Sequence, residues 1–279
     1  MDYDQILGKL QATQTEILSV IDRICREHGV SYSLYAGSLL GAVRHQGFIP
    51  WDDDLDICME RSEYDRFLAA WKESPPEGFI LQNKENTPSF TQSFSKIRKE
   101  HSTFLQYDWE ASKYHTGIFV DVFPMDRMPT GKAARLLFRW RCMKYQLLTR
   151  EFVPPRGSPA QKLVSRLVLS ATPPLKRAAA REKLLRKITR DRDGRHPTVG
   201  IEMLSTIGMP LPPDLFEEYI TLPFENGNYM CFAKWDAYLK AKFGDYMTLP
   251  PEEERNWKHH PSILDFERDY DEIMRGEKP

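Results

Sequence analysis

Cysteine is scarce in this chain and scattered. The 279 residues hold four, Cys25, Cys58, Cys142 and Cys231, with no Cys-x-x-Cys pair among them. That spacing excludes a thiolate zinc site and a disulfide framework, and predicts reduced, mostly buried thiols in a cytoplasmic protein. Long apolar runs are missing too: none approaches the ~20 residues that cross a bilayer. The N-terminal segment, MDYDQILGKL, is acidic and polar, so no secretory leader is predicted. Charge of one sign is also lacking overall. Lys and Arg number 39 against 40 Asp and Glu, for a net charge of −1, which argues against a general nucleic-acid binder. There is no internal repeat and no low-complexity segment. The 41% hydrophobic and 28% charged composition is that of a soluble globular protein, long enough for one large domain or two small ones.

The most informative stretch runs from Tyr32 to Ile57. Tyr32 to Ala36 reads as a short buried strand. Gly37 lets the chain turn, and Ser38 can cap a short helix reaching about Arg44. A Gly-Ser turn into a helix start leaves backbone N–H groups that favour a phosphate. The chain then returns through Ile49-Pro50-Trp51-Asp52-Asp53-Asp54-Leu55-Asp56-Ile57 as a second strand. Strand side chains alternate faces, so Asp54 and Asp56 share one face while Leu55 and Ile57 turn to the core. Two carboxylates roughly 7 Å apart along a strand repel unless a cation lies between them. Oxygen ligands without thiolates suit Mg²⁺ or Mn²⁺. Asp52 and Asp53, after a Pro-Trp corner, read as a solvated turn.

Other segments take their places around this unit. Residues 4–28 have the helical spacing of Leu7, Leu10, Ile17, Val20, Ile21 and Ile24 and end at Gly29, a helix that covers a sheet. Ser62-Glu63-Tyr64-Asp65 resembles a capping box opening a helix through Phe67, Leu68 and Trp71. Strands are predicted at 79–82 and 92–98. In the second, Lys96 and Arg98 share a face, either solvated or clamping a polyphosphate. Gly117-Ile118-Phe119-Val120-Asp121-Val122-Phe123-Pro124 is an apolar strand with a single charge. A lone Asp there is costly unless paired or metal-bound, so Asp121 is the third carboxylate for Asp54 and Asp56. Asp126, past Pro124, reads as a cap or turn.

Between 131 and 195 the character changes, with eighteen Lys or Arg against four Asp or Glu. Leu136, Trp140, Met143 and Leu147, with Leu137 and Leu148, form an apolar helical stripe. Arg135, Arg139, Arg141, Lys144 and Arg150 lie off it. Shorter helices are predicted through Leu163, Leu167 and Val168 and through Leu184, Leu185 and Ile188. Such helices suit an anionic membrane surface, or form a lid whose basic face is merely solvated. Beyond 196 the pattern is α/β again, with a hairpin at Asn226-Gly227 and a helix through Trp235, Tyr238, Leu239 and Phe243 that stops at Gly244. His259 and His260, on a polar tail, read as exposed side chains rather than ligands.

AGSLLGAVRHQGFIPWDDDLDI, with GIFVDVFPMD and YLKAKFGDYMTLPPEEER, resembles the LicD family, to which fukutin-type transferases are related, across roughly residues 5 to 260. The resemblance implies a nucleotidyltransferase-like α/β (α+β) fold: a small mixed sheet flanked by helices. The layout expected is one catalytic domain over 1–279, with its core in 5–130 and 196–260 and a basic helical insertion at 131–195. By the same resemblance Gly37 and Ser38 match the phosphate turn, Asp54 and Asp56 the metal pair and Asp121 the third acid. It further implies transfer of a phosphorylated alcohol, phosphocholine or a polyol phosphate, from a CDP-activated donor to a sugar hydroxyl of a cell-surface glycan.

On that basis Asp54, Asp56 and Asp121 hold one or two Mg²⁺ (or Mn²⁺), and Lys96, Arg98 and Arg44 meet the leaving phosphate. Asp121, or less favourably His45, takes the hydroxyl proton. Residues 131–195 dock a lipid-linked glycan at the inner face of the membrane. The rival readings are a nucleotidyltransferase that makes a CDP-alcohol or transfers a nucleotide, a glycosyltransferase with too little chain before its Asp-x-Asp, and a non-enzymatic membrane adaptor. A haloacid-dehalogenase-type phosphatase is disfavoured because no Gly-Thr follows Asp54-Leu55-Asp56.

Overall fold

The computed structural model describes residues 3–90, 92–111, 113–153, 158–189, 198–200, 211 and 213–276. They form an α/β fold on a mixed sheet flanked by helices. The chain divides into two compact units, residues 1–124 with 214–279, and residues 125–213.

The first unit opens with α1 (Tyr3–His28), whose buried face carries Leu7, Leu10, Ile17, Leu18, Ile21 and Ile24. Gly29, at a φ of +61°, ends it in the left-handed conformation that glycine adopts most cheaply. Next come β1 (Ser33–Leu34), α2 (Ala36–His45), β2 (Asp56–Glu60), α3 (Arg61–Glu73) and β3 (Phe79–Gln82). They are followed by β4 (Ser95–Lys99), β5 (Thr103–Leu105), α4 (Asp108–Ala111) and β6 (Phe119–Arg127). The sheet order is β1-β2-β6-β4-β3. Lys96 of β4 stands opposite Asp121 of β6, and Arg98 opposite Phe119.

Local expectations meet specific corrections. The first strand covers Ser33–Leu34 rather than 32–36, and the second begins at Asp56, so Asp54 sits in the extended loop before it. Leu55 and Ile57 are nonetheless fully buried. Helix α3 starts one residue before the supposed capping box, with Glu60 at its N-cap and no side-chain cap. Strand β6 runs through Pro124 to Arg127, so Asp126 is a buried strand residue rather than a cap. Proline has no N–H to give a ladder, and it falls where pairing changes: β4 contacts end at Val122, and pairing with β7 (Thr198–Gly200) begins at Met125.

The second unit holds α5 (Lys132–Arg150), α6 (Pro159–Ala171) and α7 (Pro174–Ile188). Its core is Met128, Phe138, Cys142, Tyr145, Leu185 and Ile188. The apolar stripe read along α5 therefore lies largely outside this core. Leu148 is buried, but Leu136 is 71% exposed, and Leu137, Trp140 and Met143 are exposed with it. The basic run beyond residue 189 lies outside the described residues as far as 195.

Back in the first unit, β8 (Tyr219–Phe224) and β9 (Gly227–Phe232) form the hairpin, with the turn at Glu225–Asn226. Helix α8 (Trp235–Phe243) ends at Gly244. Strand β10 (Ile263–Asp265) pairs with β5, and α9 (Tyr270–Met274) follows. All four cysteines are buried and unbridged.

Candidate active site

The acidic loop, residues 51–55, is fixed from every side by residues distant in sequence. From α1, the Gln11 side chain donates to the Asp52 carbonyl at 2.9 Å and the Gln14 side chain to the Asp53 carbonyl at 3.0 Å. From β6, the Asp121 N–H donates to the Leu55 carbonyl at 3.0 Å. From α2, the Ser38 hydroxyl accepts the Asp56 N–H at 2.8 Å. The hairpin tip holds the chain entering this loop, with Glu225 accepting the Phe48 N–H and donating its own N–H to Gln46.

Ser38 has a different task from the one the Gly-Ser turn suggested. Tyr35, not Ser38, is the N-cap of α2, and the Ser38 N–H is already bonded to the Tyr35 carbonyl at 3.0 Å. A Cβ at residue 37 would stand 2.7 Å from the Asp52 Oδ2. The turn therefore receives a carboxylate of this chain: Gly37 makes room for Asp52, and Ser38 sets the start of β2.

Asp52 and Asp53 are not a solvated turn; both are buried. Their partners come from the C-terminal segment some 200 positions later. Both Asp53 oxygens accept from it: Oδ2 from the His259 N–H at 2.9 Å, and Oδ1 from His259 Nδ1 at 3.0 Å and the Lys258 N–H at 3.4 Å. Lys258 Nζ reaches Asp52 Oδ1 at 3.4 Å. Burial alone would raise Asp53, but these hydrogen bonds hold it below the usual carboxylate range. His259, expected to be exposed, is half-buried, with Nε2 3.9 Å from Asp54 Oδ2. Its neighbour His260 is exposed, as anticipated.

The carboxylates crowd one another. Asp52 is pushed up to about 7 by burial and by Asp54, with which its carboxyl is hydrogen-bonded, despite the opposing pull of Lys258. Asp56 is raised well above its ordinary value by burial and then by Asp54, Asp121 and Asp52. Burial likewise raises Asp121, while Lys96 pulls it down. The structure thus brings Asp54, Asp56 and Asp121 into one electrostatic cluster and adds Asp52 to it.

Lys96 Nζ lies 2.7 Å from Asp121 Oδ1 and 3.3 Å from the centre of the Phe119 ring. Burial lowers the proton affinity of the amine, and Asp121 restores part of it. Arg98 does not share this place. Its buried guanidinium donates to Gln82 at 2.8 Å and to the Gly117 carbonyl at 2.6 Å. It ties sheet to loop, and its burial corrects the expectation of an open phosphate clamp.

Arg44 and His45 form a second group, beside Trp51. Arg44 donates to the Tyr246 carbonyl at 2.8 Å and to His45 Nε2 at 2.9 Å. That bond, together with burial and the Arg44 charge that lower its proton affinity, makes His45 a poor general base. Arg255, which sequence reasoning did not single out, lies 5.4 Å from the Trp51 ring centre, and its charge acts on Arg44. Neither arginine has a carboxylate partner among the described residues. Two such guanidinium groups beside an indole suit an anionic, planar ligand.

An oxygen-rich set in which burial, and then neighbouring carboxylates, raise Asp52, Asp56 and Asp121 fits a hard divalent cation, which can take the place of protons there. One oxygen or nitrogen each from Asp53, Asp54 and His259 lie within 4.8 Å of one another.

Residues 29–142 match the family described as LicD/FKTN/FKRP, nucleotidyltransferase domain. The chain is 26% identical over 268 residues to the lipopolysaccharide cholinephosphotransferase LicD of Haemophilus influenzae, covering 91% of this chain and 96% of that one. It is also 28% identical over 158 residues to an uncharacterised protein of Rickettsia prowazekii, covering 49% of this chain and 58% of the relative.

The crowding has a pH signature. An unfolded Asp ionises near ~3.9, whereas Asp52 in the fold keeps its proton to about 7. Between those values the unfolded chain binds fewer protons, so this group's contribution falls as pH rises from about 4 and levels off past about 7. In chelating buffer, Asp52→Asn is expected to be more stable than the parent by a margin that widens over that range. Urea denaturation at several pH values measures it, and a margin independent of pH contradicts the crowding.

Proposed function

We propose, from the match of residues 29–142 to the LicD/FKTN/FKRP nucleotidyltransferase domain, that the chain is a metal-dependent transferase. It moves a phosphorylated alcohol, phosphocholine in the first instance, from a CDP-activated donor to a sugar hydroxyl of a cell-surface glycan. The observation that carries this reading is the cluster of buried Asp52 with half-buried Asp54, Asp56 and Asp121 against Lys96. The cholinephosphotransferase name of a relative aligned over 91% of this chain supports the substrate class.

Asp54, Asp56 and Asp121 would hold Mg²⁺ or Mn²⁺. The chemistry such an ion would supply there is compensation of the negative charge on the donor pyrophosphate and the departing CMP. The other roles belong to the chain itself. Arg44 and Arg255 receive donor phosphate, and Trp51 offers a face to the planar base. Asp121 accepts the proton of the attacking hydroxyl; its raised proton affinity suits that task. Lys96 holds the Asp121 carboxylate in place and tempers its charge. Ser38, Gln11 and Gln14 keep the acidic loop from shifting, which matters because small misplacements of reacting groups cost much of the rate.

The second unit supplies the contact with a lipid-linked acceptor. Leu136, Trp140 and Met143 line one exposed face of α5, and Leu163, Val164 and Leu167 are exposed on α6, which buries no residue at all. Arg139, Lys144, Lys162 and Arg166 flank them. An exposed apolar band edged with cations suits the headgroup zone of an anionic membrane. None of the described helices is long and apolar enough to cross a membrane, so contact from the inner face would be peripheral.

Two experiments test these claims. The protein with Mg²⁺, a glycan acceptor and a panel of CDP-choline, CDP-glycerol, CDP-ribitol and CDP-ethanolamine should yield glycan carrying one alcohol phosphate, with CMP released. Asp54→Asn or Asp56→Asn should lower turnover by at least ~10²–10³-fold with little loss of thermal midpoint. Pyrophosphate release with nucleotide transfer would establish the nucleotidyltransferase reading instead, and undiminished turnover in either variant refutes the metal role.

The second experiment is flotation with anionic and neutral vesicles. The parent chain should bind the anionic ones. Trp140→Glu combined with Leu167→Glu should weaken binding at least ~10-fold, since each side chain contributes about 1.5–3 kcal/mol when buried. Equal binding by the parent and the double variant contradicts the docking face.

A further inference from the structure

We infer that His259 is a nitrogen ligand of the metal that Asp54 binds, held in its ligating orientation by Asp53. The inference rests on the reading of Asp54 as a metal carboxylate. Its own support is the geometry of residues 257–259 against the acidic loop.

The Asp53 side chain is 0% exposed, and both its oxygens are taken up by the Lys258–His259 segment. A buried carboxylate with no access to solvent and no substrate-facing oxygen is an anchor. Because an ionised carboxylate only accepts hydrogen bonds, His259 Nδ1 must be the donor in the 3.0 Å contact. In the neutral ring that a metal ligand requires, this leaves Nε2 with the free lone pair, and it is the atom directed at Asp54. The 3.9 Å between Nε2 and Asp54 Oδ2 is too long for a hydrogen bond. It is within the ~4 Å that two ligands can span when each sits about 2 Å from one ion.

A carboxylate on one ring nitrogen with the other presented to a metal is the arrangement by which proteins fix the tautomer and direction of a histidine ligand. The two residues before His259 are also secured: the Trp257 side chain is buried, and Lys258 reaches Asp52. A solvated tail would have no use for so much fastening.

One imidazole among carboxylates has a chemical consequence. Nitrogen ligation favours later divalent transition metals, so the site should prefer Mn²⁺ over Mg²⁺ more strongly than carboxylates alone would.

The test uses the full chain with Mn²⁺ and no nucleotide. Pulsed electron paramagnetic resonance should show a ¹⁴N coupling from a bound imidazole. His259→Asn keeps a side-chain donor for Asp53 but has no counterpart of Nε2. It should keep the parent's thermal midpoint, lose the ¹⁴N coupling and bind Mn²⁺ about 10–100-fold more weakly, with Mg²⁺ competing better. If Mn²⁺ binds, Asp54→Asn abolishes it and His259→Asn leaves both affinity and spectrum unchanged, the inference is overturned while the metal site stands. If the parent binds no Mn²⁺, both fall together.

Discussion

Carboxylates drawn out of water and crowded on one another are the constraint around which this protein is built. Asp52, Asp54 and Asp56 follow one another at every second position, and Asp121 joins them from the neighbouring strand. A chain free to relax would spread such charges into water. Here it is held by α1 through Gln11 and Gln14, by α2 through Ser38, by β6 through the Asp121 backbone and by the C-terminal segment through Lys258 and His259. Burial and the charges of Asp54, Asp121 and Asp52 raise Asp56, so the arrangement spends stability on holding these groups together. Carboxylates perturbed by burial and by one another cluster at functional sites.

The second unit solves a different problem. Helices α5 and α7 bury Phe138, Cys142, Tyr145, Leu185 and Ile188 between them, which suffices to order that unit. The apolar residues left outside, on α5 and α6, are more than a monomer in water needs to expose. Their flanking cations give the surface a definite chemistry, and Glu151 uses Arg177 and Arg181 to fasten the end of α5 to α7 without consuming the basic residues of α6.

Much of the site was legible in the sequence because its signals are local. A charge alone in an apolar strand identified Asp121, and acids alternating with Leu55 and Ile57 identified Asp54 and Asp56. Helix α1 and the hairpin at 225–226 were legible for the same reason: periodicity and turn chemistry act over a few residues. What was missed depends on distant partners. Asp52 and Asp53 look like a solvated turn until Lys258 and His259 arrive from some 200 positions away, and His259 looks like a tail residue until Asp53 receives it. The polar Gln11 and Gln14 on the buried side of α1 were the one available hint that something beneath that helix needed hydrogen bonds. The α5 stripe left its burial undecided for another reason. That helix has apolar residues on more than one face, and which face is buried depends on α7, not on α5's own spacing.

The central claim is that these acids are gathered to hold a cation, and the most direct measurement is the dependence of folding stability on metal concentration. With Mn²⁺ at 100 times its dissociation constant, the parent chain should gain about 2.7 kcal/mol in urea denaturation, and a chain carrying Asn at both 54 and 56 should gain nothing. A parent whose unfolding midpoint does not move up to millimolar Mn²⁺ or Mg²⁺ would contradict the account.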